Sequence, residues 1–155
     1  MKSTTISIAL ALFLGLSSTL SAQTTAIWQG GKPGRTTDWN CPANWSEGRV
    51  PDEFTQVIIP AAANCYPVIS YAPTPIDALL MEGGTKLTIQ DGARLSILGL
   101  TGIFDGVTVL GHIENNGMLE IGEAVNVGTA LLKQVRGNGV IVSPSVGMDT
   151  LARRR

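Results

Sequence analysis

The sequence predicts an all-β chain: a short right-handed parallel β-helix (solenoid) with an N-terminal Trp-rich cap, the alternative being a β-sandwich. Three observations lead there. From residue 76 onward, short dashes such as Leu87-Thr88-Ile89, Leu95-Ser96-Ile97 and Leu119-Glu120-Ile121 recur, each alternating with period two. Gly, Asn and Asp punctuate them, as in Gln90-Asp91-Gly92, Asn115-Asn116-Gly117 and Gly137-Asn138-Gly139. All three tryptophans, Trp28, Trp39 and Trp45, stand in the first third of the chain, separated by turn formers and not by a helical period.

The chain of 155 residues is long enough for one domain with a modest core. Residues 1–22 stand outside that core. Lys2 is followed by an apolar run over 6–16 and a small, polar stretch over 17–22, the layout of a secretory signal peptide. The apolar run is too short to span a bilayer, which needs about 20 residues. The expectation is export, to the medium or the cell surface, with no membrane span once the signal is removed.

A short polar entry strand is expected over 23–27, then a loop over 30–35. Residues 38–50 alternate tryptophans with turn formers, with a single helical turn around Pro42 and Trp45. A strand over 56–59 ends at Pro60, and a second runs over 68–71 before Pro73 and Pro75 break it. Residues 23–75 thus form the cap and first strands, and 76–145 the coils. Their dashes fall at 78–81, 86–89, 94–98, 107–110, 111–114, 118–121, 124–127 and 139–142, and residues 129–135 are helical. Alternation puts Leu87, Ile89, Leu95, Ile97, Val107, Val109, Leu119, Ile121, Val125, Val127, Val140 and Val142 inside. Thr88, Ser96, Thr108, Glu120, Asn126 and Ile141 then face water, Ile141 being the apolar exception. Two or three dashes make one coil of roughly 20–30 residues, as repeat architectures require. Residues 146–155, ending in Arg153, Arg154 and Arg155, read as a disordered basic tail.

The whole chain holds 11 basic and 12 acidic residues; without Lys2 the counts are 10 and 12, a net of −2. A mildly acidic body lacks the clustered basic face that nucleic acid needs. Cys41 and Cys65 form an even count in an exported chain, which predicts a disulfide, two buried thiols being the alternative. That bond would close a loop of about 24 residues and stabilise by roughly 3 kcal/mol. Two cysteines and the lone His112 have no zinc spacing, and no metal or cofactor is expected. His112 reads as a solvent-face residue. Asp91, Asp105 and the Asn115-Asn116 turn are too sparse for a calcium loop. Asn44-Trp45-Ser46 matches a glycosylation sequon.

The opening motifs are Trp28-x-Gly30, Asp38-Trp39, Asn44-Trp45, Gly48, Val50-Pro51, Val57-x-Ile59-Pro60 and Pro67-Val68-Ile69. With the dashes that follow to residue 127, they resemble a module of large secreted proteins of Bacteroidetes and related bacteria. The resemblance implies an extracellular or cell-surface β-solenoid whose Trp segment is the N-terminal cap. It implies multidomain, adhesin-like proteins or company with carbohydrate-active domains. This chain departs from them in its length, and Thr150 to Arg155 does not read as a cap, which suggests a truncated relative.

A solenoid exposes apolar side chains and strand edges at its ends unless they are covered. Trp28, Trp39 and Trp45, clamped by Cys41–Cys65, would cover the first. The sharper reading makes Trp39 and Trp45 a sugar-stacking platform, with Asp38, Asn40, Asn44 and Glu47 supplying hydrogen bonds. A third is the remnant of a polysaccharide-degrading β-helix, whose carboxylates would have to converge on one face. Asp52 and Glu53 are adjacent and would diverge in a strand, whereas Glu114, Glu120 and Glu123 could stack on one outer face. No hydrolase, metalloprotease or phosphate-loop motif occurs. The expected function is therefore a non-enzymatic structural or surface-interaction module, its partners glycans or surface proteins.

Overall fold

A strand of three or four residues can point at most two side chains to one face, so it is stable only when stacked on equivalents. The computed structural model of the chain describes residues 24–101, 106–125, 129–144 and 147–150. In it the strands stack as a β-solenoid of about three turns. They are β1 (Thr24–Ile27), β2 (Thr55–Ile59), β3 (Val68–Ile69), β4 (Ala78–Met81), β5 (Lys86–Ile89) and β6 (Arg94–Ile97). Next come β7 (Val107–Val109), β8 (His112–Asn115), β9 (Met118–Ile121), helix α1 (Thr129–Gln134), β10 (Val135–Arg136), β11 (Val140–Ser143) and β12 (Gly147–Thr150).

Three sheets form the sides. Sheet I is β1-β2-β4-β7, sheet II is β3-β5-β8-β10 and sheet III is β6-β9-β11-β12. All pairs are parallel except β11 with β12. Val57 pairs with Leu79 and Leu79 with Val107, so successive coils take 22 and 28 residues.

The inward rungs are Val57-Leu79-Val107, Leu87-Ile113-Val135 and Leu95-Leu119-Ile141. Except for the half-buried Val107, all are buried in one continuous core. Each such side chain contributes about 1.5–3 kcal/mol by leaving water. The expected alternation holds at β5, β6 and β9 and is reversed at β11. There Ile141 is buried, while Val140 and Val142 are half-buried on the outside. All three positions are apolar, so alternation cannot choose between the faces. The register with β9 decides, setting Ile141 on Leu119 and Val142 on Glu120.

Glycines set how tightly the corners stack. A Cβ on Gly111 would lie 2.4 Å from the Thr85 carbonyl oxygen, and one on Gly117 2.3 Å from that of Ala93. A Cβ on Gly122 would lie 2.4 Å from the carbonyl oxygen of Leu98. All three corners of the third coil thus rest backbone on backbone against the second.

Both ends are built differently from the coils. At the outer edge of β1, Ile27 gives its N–H to Ser46 Oγ (3.0 Å) and takes the Ser46 N–H on its carbonyl (2.9 Å). At the other end, α1 occupies the place of a sheet I strand beside β7, with Leu131 buried in the core. β12 then turns back antiparallel on β11, so parallel stacking on sheet III stops there. That strand lies where a solvated tail was expected. Other departures are local. Asp52 and Glu53 sit in the turn before β2 and not in a strand, and Ala124 and Val125 form a turn and not a dash. Residues 1–22, Asp105, Asn126, Val127, Arg153, Arg154 and Arg155 lie outside the described residues. Among the described residues, no helix is long and apolar enough to cross a membrane.

Candidate functional site

The tryptophan segment is the candidate that the sequence offers, and its geometry makes it a core. Trp28 and Trp39 are 0% exposed and Trp45 is 2% exposed. Trp45 lies between the others, edge-on to both, with ring centroids 4.9 Å from Trp28 and 4.8 Å from Trp39. Such T-shaped pairs add about 0.5–1.5 kcal/mol each to the area buried. Trp28 Nε1 donates to the Cys65 carbonyl and Trp45 Nε1 to the Trp39 carbonyl, both at 2.7 Å. Gly30 follows from this packing. It has φ +64°, and a Cβ there would press on Cys65 Sγ at 2.7 Å and on Trp28 Nε1 at 2.9 Å.

Of the four polar residues assigned to sugar binding, the side chains of Asn44 and Asp38 are used within the cap, while Glu47 is exposed. Asn44 is fully buried; its Nδ2 donates to the carbonyls of Arg35 (2.7 Å) and Asp38 (3.0 Å), and its Oδ1 accepts from the Lys32 N–H (3.0 Å). Asp38 accepts from the Asn40 N–H (2.9 Å) and from Arg35 Nε (2.7 Å), and that carboxylate raises the pKa of Arg35 further above its ordinary value. With no indole face open to solvent, Trp39 and Trp45 do not form a sugar-stacking platform.

The expected disulfide is absent. Cys41 and Cys65 are both free thiols, Cys41 buried at the start of the 3-10 turn Pro42–Asn44. Cys65 Sγ donates to the Thr36 carbonyl at 2.8 Å. The loop is closed by backbone instead: Val68 N–H bonds to Thr37 O (2.7 Å) and Trp39 N–H to Val68 O (3.2 Å). These bonds and the Trp28–Cys65 contact do the joining that the cysteine count suggested.

The carboxylates do not converge. Glu114 projects from sheet II, Glu120 from sheet III, and Glu123 lies in the turn after β9, so they do not stack on one face. Glu120 accepts from Ser96 Oγ at 2.6 Å, with Arg94 Nη1 3.9 Å away. His112 is half-exposed on sheet II, in register with Lys86. Among the described residues, no three His, Cys, Asp or Glu side chains gather as a metal site.

A groove of about 320 Å³ runs instead along the corner between sheets II and III. Its turn side carries Asp91, Asn116 and Asn138, and its strand side carries Arg94, Met118 and Val140. The strand-side residues are in register, Arg94 on Met118 on Val140. On the turn side, Asn116 Oδ1 accepts the Asn138 N–H at 3.3 Å. Between the columns lie Gly92, Ala93, Gly117 and Gly139, of which only Ala93 carries a side chain, a buried methyl. Gly117 and Gly139 are held to glycine by stacking, since a Cβ on Gly139 would lie 2.4 Å from the Gly117 carbonyl oxygen. Of these residues, the sequence singles out Asp91 and Asn116, and only as calcium candidates. Arg94, Met118, Asn138 and Val140 were missed, although the repeated Asp-Gly and Asn-Gly pairs marked the corner. No protein-family model, no curated protein and no solved structure matches this chain.

Proposed function

We propose that this chain is an exported, non-enzymatic β-solenoid module with a structural or cell-surface, adhesin-like role, akin to the Trp-capped modules its opening motifs resemble. One observation carries the reading: both ends of the stack are occupied, by the buried tryptophan cluster on one side and by α1 and β12 on the other. What the molecule offers a partner is its flank, three sheets of outward side chains repeated coil by coil. The leader-like residues 1–22 support the placement outside the cell.

Fractionation of cells making the full chain tests this. The expected product is outside the cytoplasm, begins near Gln23, and as purified protein is retained on whole cells or their envelopes. A cytoplasmic product that keeps Met1 would overturn the export reading. Release of soluble sugars from envelope polysaccharide by the purified chain would overturn the non-enzymatic one.

A further inference from the structure

We propose that the groove along the corner of sheets II and III binds an extended neutral glycan lying parallel to the solenoid axis. This rests on the surface-interaction reading and names the chemistry of its partner. At about 320 Å³ the groove sits at the low end of ligand sites, ~300–1,000 Å³, so it fits a short stretch of chain laid along it. Each coil adds one contact from the turn and one from the strand, about 4.8 Å from the next, and the pairs Asn116/Met118 and Asn138/Val140 are alike. A ligand with its own short repeat is read in register by such a ladder.

The side chains select among polymers. Asn116 and Asn138 each carry two donors and an acceptor, Asp91 accepts and Arg94 donates. A sugar hydroxyl is both donor and acceptor and can meet any of them. Met118 and Val140, half-buried beside them, give an apolar strip for ring C–H groups. The groove lining holds one carboxylate and one guanidinium, which favours neither a polyanion nor a polycation. A peptide added as a strand needs a free backbone edge. Here the backbone is already used: Met118 N–H bonds to Ala93 O (2.9 Å), Gly139 N–H to Asn115 O (2.8 Å) and Val140 N–H to Gly117 O (2.8 Å). Recognition therefore falls to side chains. Asp91 is exposed, and Arg94 is 52% exposed with its carboxylate neighbour at 3.9 Å, so both are available to a ligand.

The test is native electrophoresis of the full chain through gels holding dissolved glucan, mannan or xylan, with polygalacturonate and a Gly-Ser polypeptide as comparators. Calorimetry then follows on whatever retards it. We expect retardation by a neutral glycan, weakened about tenfold or more in Asp91→Ala/Arg94→Ala. The double variant should melt like the parent, and Lys86→Ala on sheet II should bind like the parent. Retardation by polygalacturonate or the polypeptide alone overturns the proposal, as does glycan binding that survives the double variant. Retention on whole cells without retardation by any neutral glycan overturns the glycan while leaving the surface role intact. Loss of both overturns both.

Discussion

Residues 28–50 and the coils over 78–121 both bury large apolar side chains, but different bonds hold them. In the coils each inward residue comes with a backbone ladder to the next coil, as Leu79 does with Val57 and Val107. In the cap the only pairings outside named strands are single bridges, Trp28 with Trp45 and Asp38 with Val68. There the specificity comes from side chains that bond backbone: the indoles of Trp28 and Trp45 and the amide of Asn44. The coils therefore rest on backbone register and apolar fill, whereas the cap depends on particular side-chain groups.

Truncating the cap should separate the two regions most clearly. Trp45→Ala removes the ring that touches both other tryptophans and should cost about 3–5 kcal/mol in urea unfolding. Against a typical total of ~5–15 kcal/mol, that leaves a marginal protein. A loss below about 1 kcal/mol would make the cap an accessory. Next, Asn44→Ala leaves the Arg35 and Asp38 carbonyls and the Lys32 N–H short of a partner, at roughly 2–3 kcal/mol. Asn44→Asp should be worse, since it turns a carboxylate towards two carbonyl oxygens.

The coils should respond to backbone spacing. Gly117→Ala drives a methyl into the Ala93 and Gln90 carbonyls and should cost about 3 kcal/mol. Gly92→Ala in the preceding turn meets open space and carries only the strain of φ +73°, about 1 kcal/mol. Equal losses at the two positions would contradict the stacking account. The smallest effect is at Asp52, just before β2. The Thr55 hydroxyl (2.6 Å) holds its carboxyl below the ordinary value, the Phe54 N–H and Arg49 adding to this and partial burial opposing it. A depressed folded pKa means stability present above the unfolded value of about 3.9 and lost as pH falls through the folded one. Asp52→Asn should therefore be less stable than the parent at pH 7 by under about 1 kcal/mol, a gap that closes on acidification.

The coils were legible in the sequence because period two and Asn-Gly punctuation are local signals. β4, β5 and β9 fall at the residues expected, and Leu87, Ile89, Leu95, Ile97, Leu119 and Ile121 are all inside. Ile141 was misread because a run of three apolar residues has no alternation to follow. The cap was legible as a lid but not as a packing, because Trp28 reaches Cys65 across 37 residues and no local spacing encodes that contact. The disulfide failed for the same reason: a count and a compartment say nothing about where two thiols point. The groove was hidden in residues read one at a time. Asp91, Asn116 and Asn138 are ordinary turn formers until stacking puts them in one column.

The central claim is that the tryptophans form the core of a lid while the flank meets partners. Tryptophan fluorescence of the purified chain measures it directly, with acrylamide as quencher and with or without the retarding glycan. Indoles 0–2% exposed should emit to the blue of free tryptophan, resist quenching, and be indifferent to glycan. Emission at the position of hydrated indole, quenched as readily as the free amino acid and shielded by glycan, would put the binding surface back on Trp39 and Trp45 and contradict the account.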